Sequence, residues 1–156
     1  MKNKKSLILS VVFLLVGILV LFYPALNNVI FVSQQNKVID SYNEQISGLN
    51  VEKIESMKEN AKKYNEALSD ASSSANQDID NAVSGNMSYS QIMAMENEQI
   101  GYLVIPKISL NQPIFHDTTE EVLEKGIGHM KETSFPIGGE STHSVLSGHS
   151  GIPGMM

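Results

Sequence analysis

The sequence predicts an N-terminal transmembrane helix and a helical stalk, followed by the beginning of a mainly-β barrel that is incomplete within this chain. Three observations predict this architecture. A basic tail precedes a long uncharged apolar run, apolar residues then recur at three- and four-residue spacing, and short β-branched segments broken by Pro and Gly follow. The 156 residues contain no cysteine, which excludes thiolate, disulfide and Cys-ligated zinc chemistry by this polypeptide alone.

The N-terminus is predicted to be a membrane anchor. Residues 1–5 form a basic tail containing Lys2, Lys4 and Lys5, and residues 6–23 form the transmembrane segment. The apolar run Ser6 to Phe22 covers roughly 25 Å, slightly less than a ~30 Å hydrocarbon core. The lysines predict a cytoplasmic N-terminus, with the rest of the chain extracellular. A cleaved signal peptide is the alternative, but no small-residue cleavage site follows and the run exceeds a usual h-region.

A helical region is predicted over residues 37–68. Apolar residues from Ile39 to Leu49 and from Ile54 to Leu68 lie on one helix face, and the intervening Gly48-Leu49-Asn50 separates two helices. The narrow apolar face must pack on the other helix or on the following domain. The alternative is a plain stalk that holds the domain away from the membrane.

Residues 69–98 are predicted to be a polar linker. The part from Ser69 to Asn86 is rich in Ser, Asn and Asp and has little to bury. A short helical pattern from Tyr89 to Met95 leads into the next region.

The region 99–156 is predicted to be β-rich. A strand from Ile100 to Ile105 ends at Pro106. Two short extended pieces then follow in antiparallel-type patterning, and a capping box precedes a helix of one to two turns that stops at a glycine. A Gly-Gly turn leads to a last strand. These elements are Ile108 to Asn111, Pro113 to Phe115, Thr118 with Glu121, Glu120 to Lys125 before Gly126, Gly138-Gly139, and Ser144 to Leu146.

The four histidines are the residues suited to acid–base chemistry near neutral pH. Their spacing does not match metal ligands, so no metal and no cofactor is predicted, and the dispersed acidic charge argues against nucleic-acid binding. His129 and His143 are expected to be structural. His149 is the catalytic candidate, because it follows a predicted strand and is flanked by Gly148 and Gly151.

Several segments together resemble the front half of a class C (pilus-assembly) sortase catalytic domain, up to the catalytic-histidine motif. They occur in the family's order, and the upstream region also resembles the family's N-terminal helical part. In the β-rich region they are Gly101 to Ile108, Pro113 to His116, Gly126 to His129 and Thr142 to Pro153; upstream they are Tyr23-Pro24, Asp40 to Tyr42 and Ala61 to Asn65.

The resemblance implies an eight-stranded β-barrel and a cysteine transpeptidase acting on LPxTG-type pilin or surface proteins in a Gram-positive cell wall. It places the catalytic histidine at His149, working with a Cys and an Arg on later strands. This sequence contains neither a cysteine nor an arginine. The chain by itself is therefore expected to be inactive.

Three departures from the family pattern are visible. The region Ser69 to Ile92 has no proline, so the Asp-Pro-aromatic motif of the class C lid is missing, and Asp117 and Ser150 replace residues that are commonly Gly and Arg.

Two hypotheses follow. The chain is the N-terminal part of a truncated class C sortase, or it is a non-enzymatic membrane-tethered scaffold or one half of a split sortase.

Overall fold

Two long helices form the N-terminal part of the computed structural model, which describes residues 2–72 and 88–150. Helix α1 spans Lys2–Gly48 and helix α2 spans Val51–Ser72. The predicted break is confirmed: Asn50 accepts the backbone N–H of Lys53 through its side-chain Oδ1 at 2.8 Å and so caps α2. The part of α1 from Ser6 onward is long and apolar enough to cross a membrane, and its most apolar window is entirely exposed.

Helix α1 does not stop at the predicted end of the anchor. Pro24 lies inside it, and the helix continues unbroken to Gly48. Pro24 removes one backbone N–H, a loss that helices in apolar surroundings tolerate. The anchor and the first part of the helical region are thus one element, and neither residue 23 nor residue 37 is a helix boundary.

Helix α2 packs on the β region. Ala61, Tyr64 and Leu68 are at most 9% exposed and belong to the main core. The expectation that the apolar stripe packs on the following domain is confirmed for α2. The helix extends to Ser72, so the predicted start of the linker at residue 69 is wrong, and residues 73–87 of the linker lie outside the described residues.

Four strands form one sheet in the order β1-β2-β3-β4 among the described residues. They are β1 Gln99–Ile105, β2 Leu110–His116, β3 Ile127–His129 and β4 Leu146–Ser147. The pairs β1–β2 and β3–β4 are antiparallel, whereas β2–β3 is parallel. Helix α3, Glu120–Lys125, lies in the connection between β2 and β3 that makes this parallel pairing possible.

The predicted strand ending at Pro106 is confirmed, but other local predictions need correction. The two extended pieces after it are one strand, β2, preceded by a 3-10 turn at Pro106–Ile108. Pro113 is tolerated within β2 because the ladder to β3 begins only at Ile114. The last strand is Leu146–Ser147 rather than Ser144 to Leu146.

The predicted capping box is also wrong. The N-cap of α3 is Thr119, without a side-chain cap bond, and the backbone N–H of Thr118 donates to Asp117 Oδ1 at 2.6 Å. The predicted stop is confirmed, because α3 ends at Lys125 with Gly126 as its C-cap.

The core lies between α2 and the sheet. Ile100, Ile114 and Ile127 face Phe135, which is 1% exposed, and the segment before β1 contributes Ile92. Helix α1 packs on β2 and β1 as well. This packing holds the loop from 130 to 145 against α2 and thereby fixes the approach to β4.

Candidate functional site

The sequence-predicted catalytic residue, His149, lies just after β4. Its side chain is 30% exposed, and its Nε2 is 3.3 Å from Oε1 of Glu120, the first residue of α3. Glu120 itself is 75% exposed, so this contact orients the ring but contributes little to stability. A partly exposed imidazole at the end of a strand can exchange a proton with a bound substrate.

Strand β4 holds His149 in place through β3 and the loop before it. Leu146 pairs with His129 and Ser147 pairs with Gly128. The backbone N–H of Met130 donates to the Val145 carbonyl at 2.9 Å, which extends this ladder. His149 is therefore carried by a strand that is tied to the buried centre of the sheet.

Gly128 allows β3 to lie close to the turn that follows β2. A Cβ at this position would overlap the carbonyl oxygen of Asp117. Asp117 adopts φ 68°, in the left-handed region that favours glycine. This conformation accounts for the preference for Gly that the family resemblance implies at this position, and Asp is among the residues that tolerate it best.

His129 is fully buried and belongs to an aromatic cluster. Its ring stacks on Phe135 with a centroid separation of 4.8 Å, and its Nε2 donates to the Ser134 carbonyl at 2.9 Å. Its Nδ1 lies 2.9 Å from the hydroxyl of Tyr89, which also donates to the His129 carbonyl. Burial lowers the pKa of His129, so the neutral imidazole serves a structural role.

Tyr89 joins the segment before β1 to this cluster. Its hydroxyl also accepts the backbone N–H of Asp117 at 3.2 Å. Burial raises the pKa of Tyr89 to about 12, despite the opposing effect of that hydrogen bond. The hydroxyl thus remains protonated and links three parts of the chain.

His116 and His143 lie in different environments. His116 is buried, with Nε2 2.8 Å from the Ile92 carbonyl, and burial lowers its pKa. The His143 side chain is exposed, whereas its backbone pairs with Ser134. The structural role expected for His143 is thus carried by its main chain.

Sequence reasoning did not identify Glu120 or Tyr89 as site residues. Both come close to their histidines only through tertiary folding, and no motif in the sequence links them. In the part of the chain that the structure describes, no group of three His, Asp or Glu side chains is arranged to hold a metal ion.

Comparisons with known proteins agree with this architecture. Residues 103–156 match the Sortase domain family model. Sortase D of Bacillus subtilis (strain 168) is 47% identical over 49 residues, which are 31% of this chain and 24% of that protein. The described His149 region lies within the family match.

Class C sortases are among the solved structures that resemble the chain. Sortase C of Clostridium perfringens SM101 has 34% identity and a TM-score of 0.57, covering 72% of this chain and 58% of that one. Sortase C1 of Streptococcus agalactiae has 31% identity and a TM-score of 0.62, covering 76% and 60%. The chain therefore spans less than two thirds of these structures.

The family match, the shared fold and the order of elements agree with one another. Residues 103–156 thus match the sortase family, and the chain is similar in sequence and fold to class C sortases.

Proposed function

We propose that this chain provides the membrane anchor and the catalytic histidine of a cysteine transpeptidase that joins LPxTG-type pilin or surface proteins. The observation that carries the proposal is His149, partly exposed at the end of β4 within the matched domain. One relative, the sortase C of Clostridium perfringens, was solved with the C-terminal cell wall sorting motif. That sorting motif supports the assigned substrate class.

The proposed reaction divides the work between two parts of a sortase. A cysteine thiolate attacks the carbonyl of the sorting signal, breaking the Thr–Gly peptide bond and forming an acyl-enzyme, and the leaving amine takes a proton from the imidazolium of His149. An amine of the acceptor then attacks the thioester, forming the new amide bond, returning a proton to the neutral imidazole of His149 and releasing the thiolate. An arginine stabilises the oxyanion. The sequence has neither a cysteine nor an arginine, so these two groups come from the remaining part of the enzyme, and the chain by itself is inactive.

A completed enzyme tests this role of His149. The part of Streptococcus agalactiae sortase C1 that lies beyond its histidine motif is fused after Gly151, and cleavage of a sorting-signal peptide is measured. We expect His149→Ala to lower the rate by about 10²- to 10⁴-fold, as for the loss of a general acid. His143→Ala is the matched control and should retain activity, because that side chain is exposed. Equal activity of the two variants would contradict the assignment.

We also propose that the N-terminus is cytoplasmic and that the region after the anchor faces outward. The support is the cluster of Lys2, Lys4 and Lys5 before an exposed apolar helix. Sequencing of the mature N-terminus tests whether the anchor is retained. A terminus between Tyr23 and Gln34 would indicate cleavage.

The second candidate is a non-enzymatic scaffold, or one half of a split sortase whose other half supplies Cys and Arg. The absence of both residue types from this sequence is the observation that favours it. The DNA downstream distinguishes the possibilities. A continuing reading frame that encodes the Cys and Arg strands indicates a single enzyme, and a separate intact gene encoding only those strands indicates a split one.

A further inference from the structure

The apolar surface of α1 extends beyond the segment predicted to span the membrane. Leu26, Val29, Ile30 and Val32 are between 40% and 69% exposed. The next residues, Ser33 and Gln34, are polar. Because α1 is continuous, these side chains prolong the exposed apolar surface of the anchor. Exposure of this apolar surface to water is unfavourable.

The folded domain begins immediately above this surface. Gln35 is only 3% exposed and Ile39 is 4% exposed. The side chain of Asn36 lies 3.4 Å from that of Asn111 at the start of β2. From Val32 to Gln35 the helix rises only about 4.5 Å. No length of free stalk separates the exposed apolar residues from the domain.

A second element reaches the same level of α1. A groove of about 620 Å³ is lined by Phe31 and Gln34 of α1 and by Glu124 and Lys125 of α3. The C-terminal end of α3 therefore faces the last apolar turn of the helix. The other end of α3 carries Glu120, which contacts His149.

The length of the apolar helix fits a bilayer. From Ser6 to Val32 it measures about 40 Å, which matches a bilayer of about 40–45 Å that includes its interfacial regions. We propose that α1 is embedded in lipid through Val32 and that the β domain rests directly on the bilayer surface. The occupant of the apolar face is the bilayer because Leu26, Val29 and Ile30 continue one face of the anchor along the same helix, and the intervening Asn27 and Asn28 point away from that face. The inference rests on the membrane anchoring in the proposed function.

Spin labels on single cysteines test this seating, since the natural sequence has no other thiol. The full chain is placed in phospholipid vesicles with a nitroxide at Leu26, Ile30 or Lys125. Leu14 is the control for the anchor, and the exposed Glu52, at the start of α2 beyond the far end of α1, is the control for water. Collisions with oxygen report lipid, and collisions with a water-soluble nickel chelate report solvent.

We expect collisions with oxygen to exceed those with the nickel chelate at positions 26 and 30. Collisions with the nickel chelate should exceed those with oxygen at position 52, and position 125 should give an intermediate ratio of the two. If positions 26 and 30 behave like position 52 while position 14 is in lipid, the seating is wrong and the anchor stands. A water-like signal at position 14 would overturn the anchor as well. Shielding of positions 26 and 30 from both reagents would mean that protein covers this face, which also contradicts the proposal.

Discussion

Asn65 connects α2 to the loop before β4, and its replacement tests how the core is held together. The side chain is 5% exposed. Its Nδ2 donates to the Phe135 carbonyl at 3.1 Å, and its Oδ1 accepts the Phe135 N–H at 2.7 Å. One amide thus satisfies both backbone groups of the most buried phenylalanine.

Asn65→Ala leaves the Phe135 N–H without its partner, whereas the Phe135 carbonyl keeps the backbone N–H of Ile137 as a donor at 2.8 Å. An unsatisfied buried polar group costs about 1–3 kcal/mol. Because one buried N–H loses its partner, we expect the free energy of unfolding to fall by about 1–3 kcal/mol. Thermal unfolding of the full chain in detergent, followed by circular dichroism, measures the change. Asn43→Ala is the control, because Asn43 is exposed on α1.

Asn65→Asp separates the two hydrogen bonds. The carboxylate still accepts the Phe135 N–H but is repelled by the Phe135 carbonyl. Protonation of the new acid restores a donor, and burial raises its folded-state pKa above the unfolded value of about 3.9. The Asp variant should therefore lose stability as the pH rises through the folded-state pKa. If the free energies of unfolding of Asn65→Ala and Asn43→Ala differ by less than about 0.5 kcal/mol, the Asn65 side chain does not hold the Phe135 backbone to α2.

Three further substitutions test other parts of the structure by the same unfolding measurement. Gly128→Ala should destabilise the fold by about 2 kcal/mol or more, because the new Cβ would overlap the Asp117 carbonyl. Gly101→Ala is the control and should be nearly neutral, because the space around Gly101 is open. Equal effects of the two substitutions would contradict the close approach of β3 to Asp117. Gln35→Leu should stabilise by about 1 kcal/mol, because the buried amide nitrogen has no partner among the described residues. Gln99→Leu is the control and should destabilise the fold, because the Gln99 amide donates to the Gly101 carbonyl at 2.9 Å. If Gln99→Leu also stabilised the fold, the missing hydrogen bond of Gln35 would not explain the effect of Gln35→Leu. Burial lowers the folded-state pKa of His129, so the stability that the neutral ring contributes is complete above about pH 6.5 and is lost as the pH falls toward the folded-state pKa. His129→Asn should therefore reduce the dependence of the free energy of unfolding on pH in this range. An unchanged pH dependence would exclude His129 as its source.

The elements with strong local signals were predictable from the sequence. The β-branched run before Pro106 predicts β1, the glycine after Lys125 predicts the end of α3, and Gly48 to Asn50 predict the break between the long helices. Pro106 lacks a backbone N–H, Gly126 favours the irregular conformation at the end of a helix, and Asn50 caps the next helix. Local chemistry alone decides such boundaries.

The remaining features depend on contacts between distant residues. Pro24 has the chemistry of a helix breaker, yet α1 continues through it, because apolar surroundings favour internal backbone hydrogen bonds over an open end. The parallel pairing of β2 with β3 depends on where α3 packs, which no periodicity encodes. His149 is predicted as the catalytic residue from its motif, whereas its contact with Glu120 could not be predicted, because that contact exists only after β4 has docked on β3.

The unbroken α1 also fixes the height of the domain above the anchor segment and the side of the helix on which the domain lies. Each residue of an α-helix turns the chain by about 100° and advances it by about 1.5 Å. One residue inserted between Val32 and Gln35 would therefore turn the domain by more than a quarter of a revolution, whereas seven would return it to within about 20° of its starting direction and raise it by about 10 Å. The side of α1 on which His149 lies, and its height above the anchor, are thus determined by the number of residues in one helix.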